Sequence, residues 1–277
     1  MAALDSLYRR NALHWDYHNR ETQLGATATL IPFGDQEIFG KVNATTGTGM
    51  RFNASGLAPT WTHSEAMSAW DTAFDLTDPD NWQGVIPVLT FNGTDEESDT
   101  PDAAGWSTAG AFSWVAWIYL NTLASNVILA KWDETTSAEA REFIAEVDAN
   151  GDIGFRIYDE TNNAAVGRKQ DTALVAGRWY HVAGTFDGGT DASGVSIYVN
   201  GVATDDADIV DDAGFANAVD TATVVSLGYS ESTAGAKQNF FDGKMAGGPC
   251  CVGFCTAELT AAQVLNMFRK ERRMLGL

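Results

Sequence analysis

The chain has 277 residues, with 17 Lys and Arg against 37 Asp and Glu, a formal net charge of −20 at pH 7. A field of that sign opposes loose contact with nucleic-acid backbones and anionic membranes. No run approaches the roughly 18 apolar residues of a membrane-spanning helix, so neither partner is expected. Fourteen Phe, nine Trp and seven Tyr beside 27 Gly and six Pro suit many short strands joined by tight turns.

Residues 1–20 are charged throughout, without the apolar stretch or cleavage pattern of a secretory leader, and none is expected. Leu4, Leu7, Tyr8, Ala12 and Trp15 recur at helical spacing, and Arg9, Arg10 and Arg20 outnumber Asp5 and Asp16 by one. Up to residue 83, apolar pieces such as ATLIPF (28–33) and QEIF (36–39) alternate with Gly/Thr/Asn-rich joints such as NATTGTG. Thr62-His-Ser-Glu65 has the form of a helix cap ahead of Met67, Trp70 and Phe74. Four tryptophans in so irregular a segment are not expected in water. Residues 1–83 therefore read as an arm with short helices and one edge strand, packed back on the body or lying on a partner.

From residue 107 the chain punctuates itself regularly. AFSWVAWIYL (111–120) alternates Phe112, Trp114, Ala116, Ile118 and Leu120 with Ser113, Val115, Trp117 and Tyr119. Both sets are largely apolar, as in an inner strand covered on each side. VILAKW (127–132) is a second strand; REFIAEV and DIGFRIY flank Ala149-Asn150-Gly151, which predicts a hairpin with a primed turn. WYHVAGTF (179–186) runs into Asp187-Gly188-Gly189, with His181 as a structural histidine, and GVSIYVNG (194–201) ends in a further Asn-Gly. DDADIVDD (205–212) reads as an acidic loop before TVVSLGY (223–229) and FFDGKMAGG (240–248). Strands at this spacing with no helix between them indicate a sandwich. The exception comes last. In LTAAQVLNMFRKERRM, Thr260 caps, Gln263 closes a capping box, and Val264, Leu265 and Phe268 form a stripe, so a helix is expected over 260–273. Arg269, Lys270, Arg272 and Arg273 sit at its C-terminal end, where the macrodipole favours cations.

GGPCCVGFC (247–255) holds all three cysteines. Three is odd and clustered, which excludes a disulfide framework spread along the chain. Pro249 and Gly253 oppose a helix that would align Cys251 with Cys255, and the four histidines lie far off in sequence. Packing thiols in a strand are the favoured reading over a metal site or an intermolecular disulfide.

FNGTDEESDTPD (91–102) followed by AFSWVAWIYL, GRWYHVAGTFDGG (177–189), GVSIYVNGV (194–202), and FFDGKMAGG with ELTAAQVLNMF stand in the order of a known family. Together they resemble a laminin G-like jelly roll of the concanavalin A-like lectin/glucanase superfamily, over about residues 84–268. The resemblance implies an all-β, antiparallel jelly-roll sandwich over residues 84–277, with an irregular N-terminal arm and a short C-terminal helix. Gly247-Gly248-Pro249-Cys250-Cys251 departs from the family's closing strand, and residues 1–83 are barely covered. A Gly-Gly-Pro closing strand is similar to domains carried on phage virions. That implies a non-enzymatic capsid-decoration or other virion-surface protein located on the virion.

Docking would then fall to Leu4, Leu7, Tyr8, Arg9, Arg10, Trp15, Arg269, Arg272 and Arg273. Their partners would be copies of the chain or major capsid and other virion proteins, with basic ends meeting acidic bodies. The alternative is a lectin-like module that binds a surface glycan, with Trp106, Trp132 and Tyr229 as loop-near stacking rings. No cofactor is required. Calcium is the one the resemblance allows, through Asp187, Asp191, Asp205, Asp206 and Asp208 at a loop rim. Hydrolases of this fold carry a Glu-x-Asp-x-x-Glu strand. Here Glu146-Val-Asp148 runs into Asn150 and Gly151, so the third carboxylate is missing and no glycosidase is expected.

Overall fold

The computed structural model describes residues 86–277 except 101, 103–105, 107, 108, 137, 248, 249 and 251, together with 28–31, 46–48, 60–63 and 82–83. In chain order the strands begin with β1 (Ala28–Ile31), β2 (Thr46–Thr48), β3 (Thr60–His63), β4 (Trp82–Gln83), β5 (Ile86–Asn92) and β6 (Ser98–Thr100). The long strands follow: β7 (Phe112–Leu120), β8 (Asn126–Asp133), β9 (Ala140–Val147), β10 (Ile153–Asp159), β11 (Ala164–Gln170) and β12 (Trp179–Phe186). Next come β13 (Val195–Val199), β14 (Val202–Ala203), β15 (Asp205–Asp211), β16 (Val225–Leu227), β17 (Ser230–Glu231) and β18 (Lys237–Gln238). β19 (Asp242–Ala246), β20 (Val252–Cys255) and helix α1 (Ala261–Glu271) close the chain.

Among the described residues these strands form a jelly-roll sandwich of two sheets. The first runs β14-β13-β12-β7-β19-β5-β4, with β20 between β7 and β1; the second runs β15-β11-β10-β9-β8-β16-β6-β3-β2. Pairing is antiparallel throughout, apart from one parallel bridge between β17 and β8.

β7 anchors the first sheet. Phe112, Trp114, Ala116, Ile118 and Leu120 enter the core between the sheets, as the alternation predicts. Phe112 is the hub there, with ring centroids 5.4–5.8 Å from Phe143, Phe155, Phe186 and Phe254. The opposite face of β7 is buried too, because α1 and the residues after it lie across it. Val115 packs with Leu259, Val264 and Met267, and Trp117 with Leu275. Polar groups fasten the cover: Ser113 Oγ donates to the Ala257 carbonyl (2.9 Å) and accepts from Leu259 N (2.9 Å). Trp117 Nε1 donates to Glu271 Oε2 at 2.8 Å, and buried His181 lies edge-on to Trp117. The capping box of Thr260 and Gln263 is formed. The helix buries Val264, Met267 and Glu271 and stacks Phe268 on Trp117, so the predicted stripe of Val264, Leu265 and Phe268 is widened by Met267 while Leu265 is only partly covered.

The cysteine stretch has a topological role. β19 and β20 share one edge of β7: Met245 pairs with Ile118, and Gly253 with Val115. The chain thus takes eight steps where β7 takes three, and GGPCC is the insertion that splits one strand position into two. Cys250 and Cys255 are buried, and burial pushes the Cys255 thiol up to about 11. They are packing groups.

Three expectations change. Asn200-Gly201 is a primed turn, with both residues at positive φ (52° and 79°), but in the β9–β10 hairpin only Gly151 is (91°). That loop is longer: Asp148 N donates to Asp152 O, and Asp148 Oδ1 accepts from Asn150 N and Asp152 N. The acidic segment 205–211 is an edge strand rather than a loop, paired to β11 along one side. Its aspartates suit a sheet margin that must not recruit another strand. In the arm, Thr62 and His63 lie in strand β3, which pairs with β6, and β1 pairs with β20. The described arm strands therefore extend the domain's own sheets; the helices expected from residues 4 and 65 lie outside the described residues.

Gly184 shows how closely the sheets meet. A Cβ there would lie 2.8 Å from both the Phe155 ring and Trp114 Cε2. Gly184→Ala should destabilise the fold by about 1–3 kcal/mol through overpacking, read as a lower urea midpoint with an unchanged slope.

Candidate functional site

The aromatic residues predicted for stacking are not available to a ligand. Trp106 is fully buried against Phe254, Trp132 is 6% exposed with Nε1 bonded to Glu134, and Tyr229 is 1% exposed. Their size drives them inward, where apolar area is worth most. Tyr229 OH donates to Asp99 Oδ2 at 3.1 Å and Lys237 Nζ stands 4.3 Å from its ring; burial, with Asp99 beside it, pushes the phenol far above its usual range.

Of the aspartates predicted for calcium, Asp187, Asp191 and Asp208 each lie in a separate local arrangement. Asp187 Oδ1 accepts from Gly189 N (2.6 Å) in a tight turn, Asp191 precedes a short 3-10 turn, and Asp208 pairs with Arg168. Asp205 and Asp206 lie in β15. Among the described residues no three His, Cys, Asp or Glu side chains form a metal-holding group. Of the docking set, Leu4, Leu7, Tyr8, Arg9, Arg10 and Trp15 lie outside the described residues. Arg269, Arg272 and Arg273 are exposed at the end of α1 with Lys270.

A different group of side chains comes together on the outer face of β9, β10 and β11. Ile153, Phe155 and Ile157 point into the core, so strand alternation turns Arg156 and Tyr158 outward. Arg156 Nη2 bonds Glu146 Oε1 at 2.5 Å, and its guanidinium lies 5.3 Å from the Trp132 ring. Gly167 makes room for it: a Cβ there would come within 2.7 Å of Arg156 Cγ. Arg141 grips Glu160 in a two-pronged pair (Nε–Oε2 3.0 Å, Nη2–Oε1 2.9 Å) and reaches Glu139 at 2.8 Å. Its guanidinium lies 4.0 Å above the partly exposed Tyr158 ring, whose hydroxyl donates to Asn163 Oδ1. Asn163 sits in the β10–β11 turn, which Asp159 ties by accepting from Thr161 N and Asn162 N.

The hydrogen bond from Arg141 holds Glu160 below the usual carboxylate range, although burial opposes it. The same bond raises the Arg141 guanidinium. Burial raises the Tyr158 phenol, with Arg141 opposing. The face is thus a set of fixed ions around a neutral phenol. The sequence carries part of this signal: Arg156 and Tyr158 stand two apart in DIGFRIY, hence on one face. Glu160, Asn163 and Arg141 join only through the turn.

A second polar cluster ties β8 and β9 to Asp102 and to the 212–224 connection. Lys131, fully buried, touches Asp102 (2.8 Å), Glu142 (2.8 Å) and Asp220 (3.0 Å). Burial alone would lower its pKa, but Glu142 and the hydrogen-bonding carboxylates raise it, so the ammonium persists. Asp220 belongs to the connection 212–224, which also sinks Phe215 and Ala218 into the core.

Glu146 of β9 and Asp148, just after it, are tied to local structure. Glu146 holds Arg156, and Asp148 organises the hairpin turn.

Two stacked antiparallel sheets in jelly-roll order, with a polar and aromatic outer face, define a lectin-type domain architecture. The chain belongs to the concanavalin A-like lectin/glucanases superfamily, whose laminin G-type family model matches residues 92–264. No curated protein matches the sequence. Among solved structures it is similar to the binding domain of botulinum neurotoxin DC in complex with SialylT, at 12% identity and TM-score 0.52. That match covers 83% of this chain and 52% of the other, so the chain spans about half the length of the toxin domain. It is also similar to the Ruminococcus gnavus IT-sialidase CBM40 bound to alpha2,3 sialyllactose (13% identity, TM-score 0.50, covering 65% and 97%). A heptameric SAP-like pentraxin from Limulus polyphemus matches at 16% identity and TM-score 0.41, over 58% of this chain and 71% of that one. At such identities the toxin domain and the CBM40 speak to the fold alone. No helix among the described residues is long and apolar enough to cross a membrane.

Two outcomes are expected. Lys131→Ala leaves buried Glu142 without its cation and should cost about 3–5 kcal/mol, measured by chemical denaturation. Glu160, with its folded pKa depressed, contributes stability that is present above its unfolded pKa of about 4.3 and lost as pH falls through the folded value. Thermal melts from pH 7 down to pH 3 should therefore show Glu160→Gln less stable than wild type at the neutral end, with the gap closing on the acid side.

Proposed function

We propose that this is a carbohydrate-binding domain without hydrolytic chemistry, which takes a sugar on the outer face of β9, β10 and β11. The observation that carries the reading is the partly exposed Tyr158 ring framed by the Arg141–Glu160 and Arg156–Glu146 pairs. A pyranose offers a C–H face that suits the electron-rich face of an aromatic ring, and neighbouring hydroxyls that suit two-pronged planar groups. Side chains already fixed by their own partners lose little freedom on binding, which favours a weakly interacting ligand such as a sugar. The neighbours named above are supporting analogies: one is a toxin binding domain in complex with SialylT, the other a CBM40 bound to alpha2,3 sialyllactose. Fold likeness alone would not assign a function, so the reading rests on the chemistry of the face. The face needs no metal, so binding should survive a chelator.

A second reading places the domain on an assembly such as a virion surface, docked through its ends. What favours it is the exposed cluster of Arg269, Lys270, Arg272 and Arg273 on a chain of net charge −20. Deleting residues 1–20 and reversing these charges should then abolish self-association or particle attachment in sedimentation; unchanged association would remove this reading.

For the first reading, glycan-array screening followed by calorimetry is the direct measurement. Tyr158→Ala and Arg156→Ala should each weaken the best glycan by tenfold or more, roughly 1.4 kcal/mol, with an unchanged circular dichroism spectrum. An array that retains no glycan at all would refute the assignment.

A further inference from the structure

Resting on the carbohydrate reading just given, we infer that the face of β9, β10 and β11 selects uncharged, hydroxyl-rich sugars and rejects acidic ones. On this face the three strands present three cations, Arg141, Arg156 and Lys169; Arg168, next to Lys169 and paired with core residue Phe155, turns the other way. Each of the three already has a carboxylate. Arg141 holds Glu160 and Glu139, Arg156 holds Glu146, and Lys169 holds Asp152, all within 2.5–3.3 Å. Four carboxylates thus answer three cations, and the face carries no surplus positive charge.

Consider what an incoming carboxylate or sulfate meets there. An acidic group that takes the remaining N–H donors of a guanidinium comes to lie beside Glu146 or Glu160, which stay tethered by the strand and the turn at hydrogen-bonding range. Two like charges would then share one small site, and that arrangement is unfavourable. The chain's charge of −20 adds a repulsion of the same sign, screened beyond about 8 Å at physiological salt. A hydroxyl group meets the opposite situation. A carboxylate has about four acceptor positions and a guanidinium five N–H donors, so each can keep its partner and still bond a hydroxyl. Adjacent hydroxyls can donate to Glu146 and accept from Arg156 at once, while Tyr158 offers its ring. The ion pairs therefore act as a built-in filter: they preorganise the hydroxyl-binding groups and set a like charge beside the positions an acidic sugar needs.

The test uses the full chain on an array of matched neutral and sialylated or sulfated glycans, with lactose and 3′-sialyllactose as one such pair. The same is repeated with Glu146→Gln and Glu139→Gln. Expected for wild type is retention of neutral glycans, with at least tenfold weaker binding of each acidic counterpart. Glu146→Gln, which leaves Arg156 without its carboxylate, should narrow that gap several-fold. Glu139→Gln is a second carboxylate removal at the Arg141 side that spares Glu146. Wild type that retains acidic glycans and not their neutral counterparts would overturn this inference while leaving the carbohydrate reading standing. Retention of nothing in either class would instead overturn the carbohydrate reading itself. An unchanged neutral-to-acidic ratio in both folded variants would show that these carboxylates set no discrimination, and would also overturn the inference.

Discussion

Everything in this molecule is hung on β7, a strand that is apolar on both sides. One side supplies the Phe112 hub that joins the two sheets through Phe143, Phe155, Phe186 and Phe254. The other must be hidden from water as well, and α1 exists for that purpose. Because Trp117 carries an indole N–H into the covered side, the helix has to bring an acceptor, and Glu271 is that acceptor. Losing a partner there would leave a buried polar group unsatisfied. The hydrophobic demand of one strand thus dictates both the sandwich and its C-terminal cover, and its remaining edge is filled by β19 and β20 in turn.

The electrostatics follow from scarcity of cations. With 17 basic residues for 37 acidic ones, the body uses its cations as rivets between carboxylates. Lys131 gathers three carboxylates from separate parts of the chain, and Arg141 draws in Glu139 and Glu160. The former ties β8 and β9 to Asp102 and to the 212–224 connection; the latter fixes the edge of the outer face. The exposed cations at the end of α1 are the contrast, pointing to solvent while the strand cations point to partners.

Much of this was legible in the order of residues. Alternation in 111–120 gave the inner strand, the Thr260–Gln263 box gave the helix start, and Asn200-Gly201 gave a tight turn, because each is a local rule. The acidic run 205–212 misled, since aspartate is a poor strand former and only its place at a sheet margin explains seven residues of strand there. The candidate face was half visible. Arg156 and Tyr158 share a face by simple alternation, but their meeting with Arg141 and Glu160 depends on two hairpins, a non-local fact. The aromatic candidates Trp106, Trp132 and Tyr229 failed for one reason: nearness to a loop in sequence says nothing about depth, and a large ring at a strand end is still driven inward.

The acid-lined border of the second sheet has a further consequence. Exposed Asp208 and its neighbours leave Ile209 as an isolated apolar spot on that border. Two such borders brought side by side would set rows of like charge against each other before any backbone groups could pair. Crowded copies should accordingly stay individually folded and resist fibrous stacking, so many of these domains can be held close together without their sheets merging.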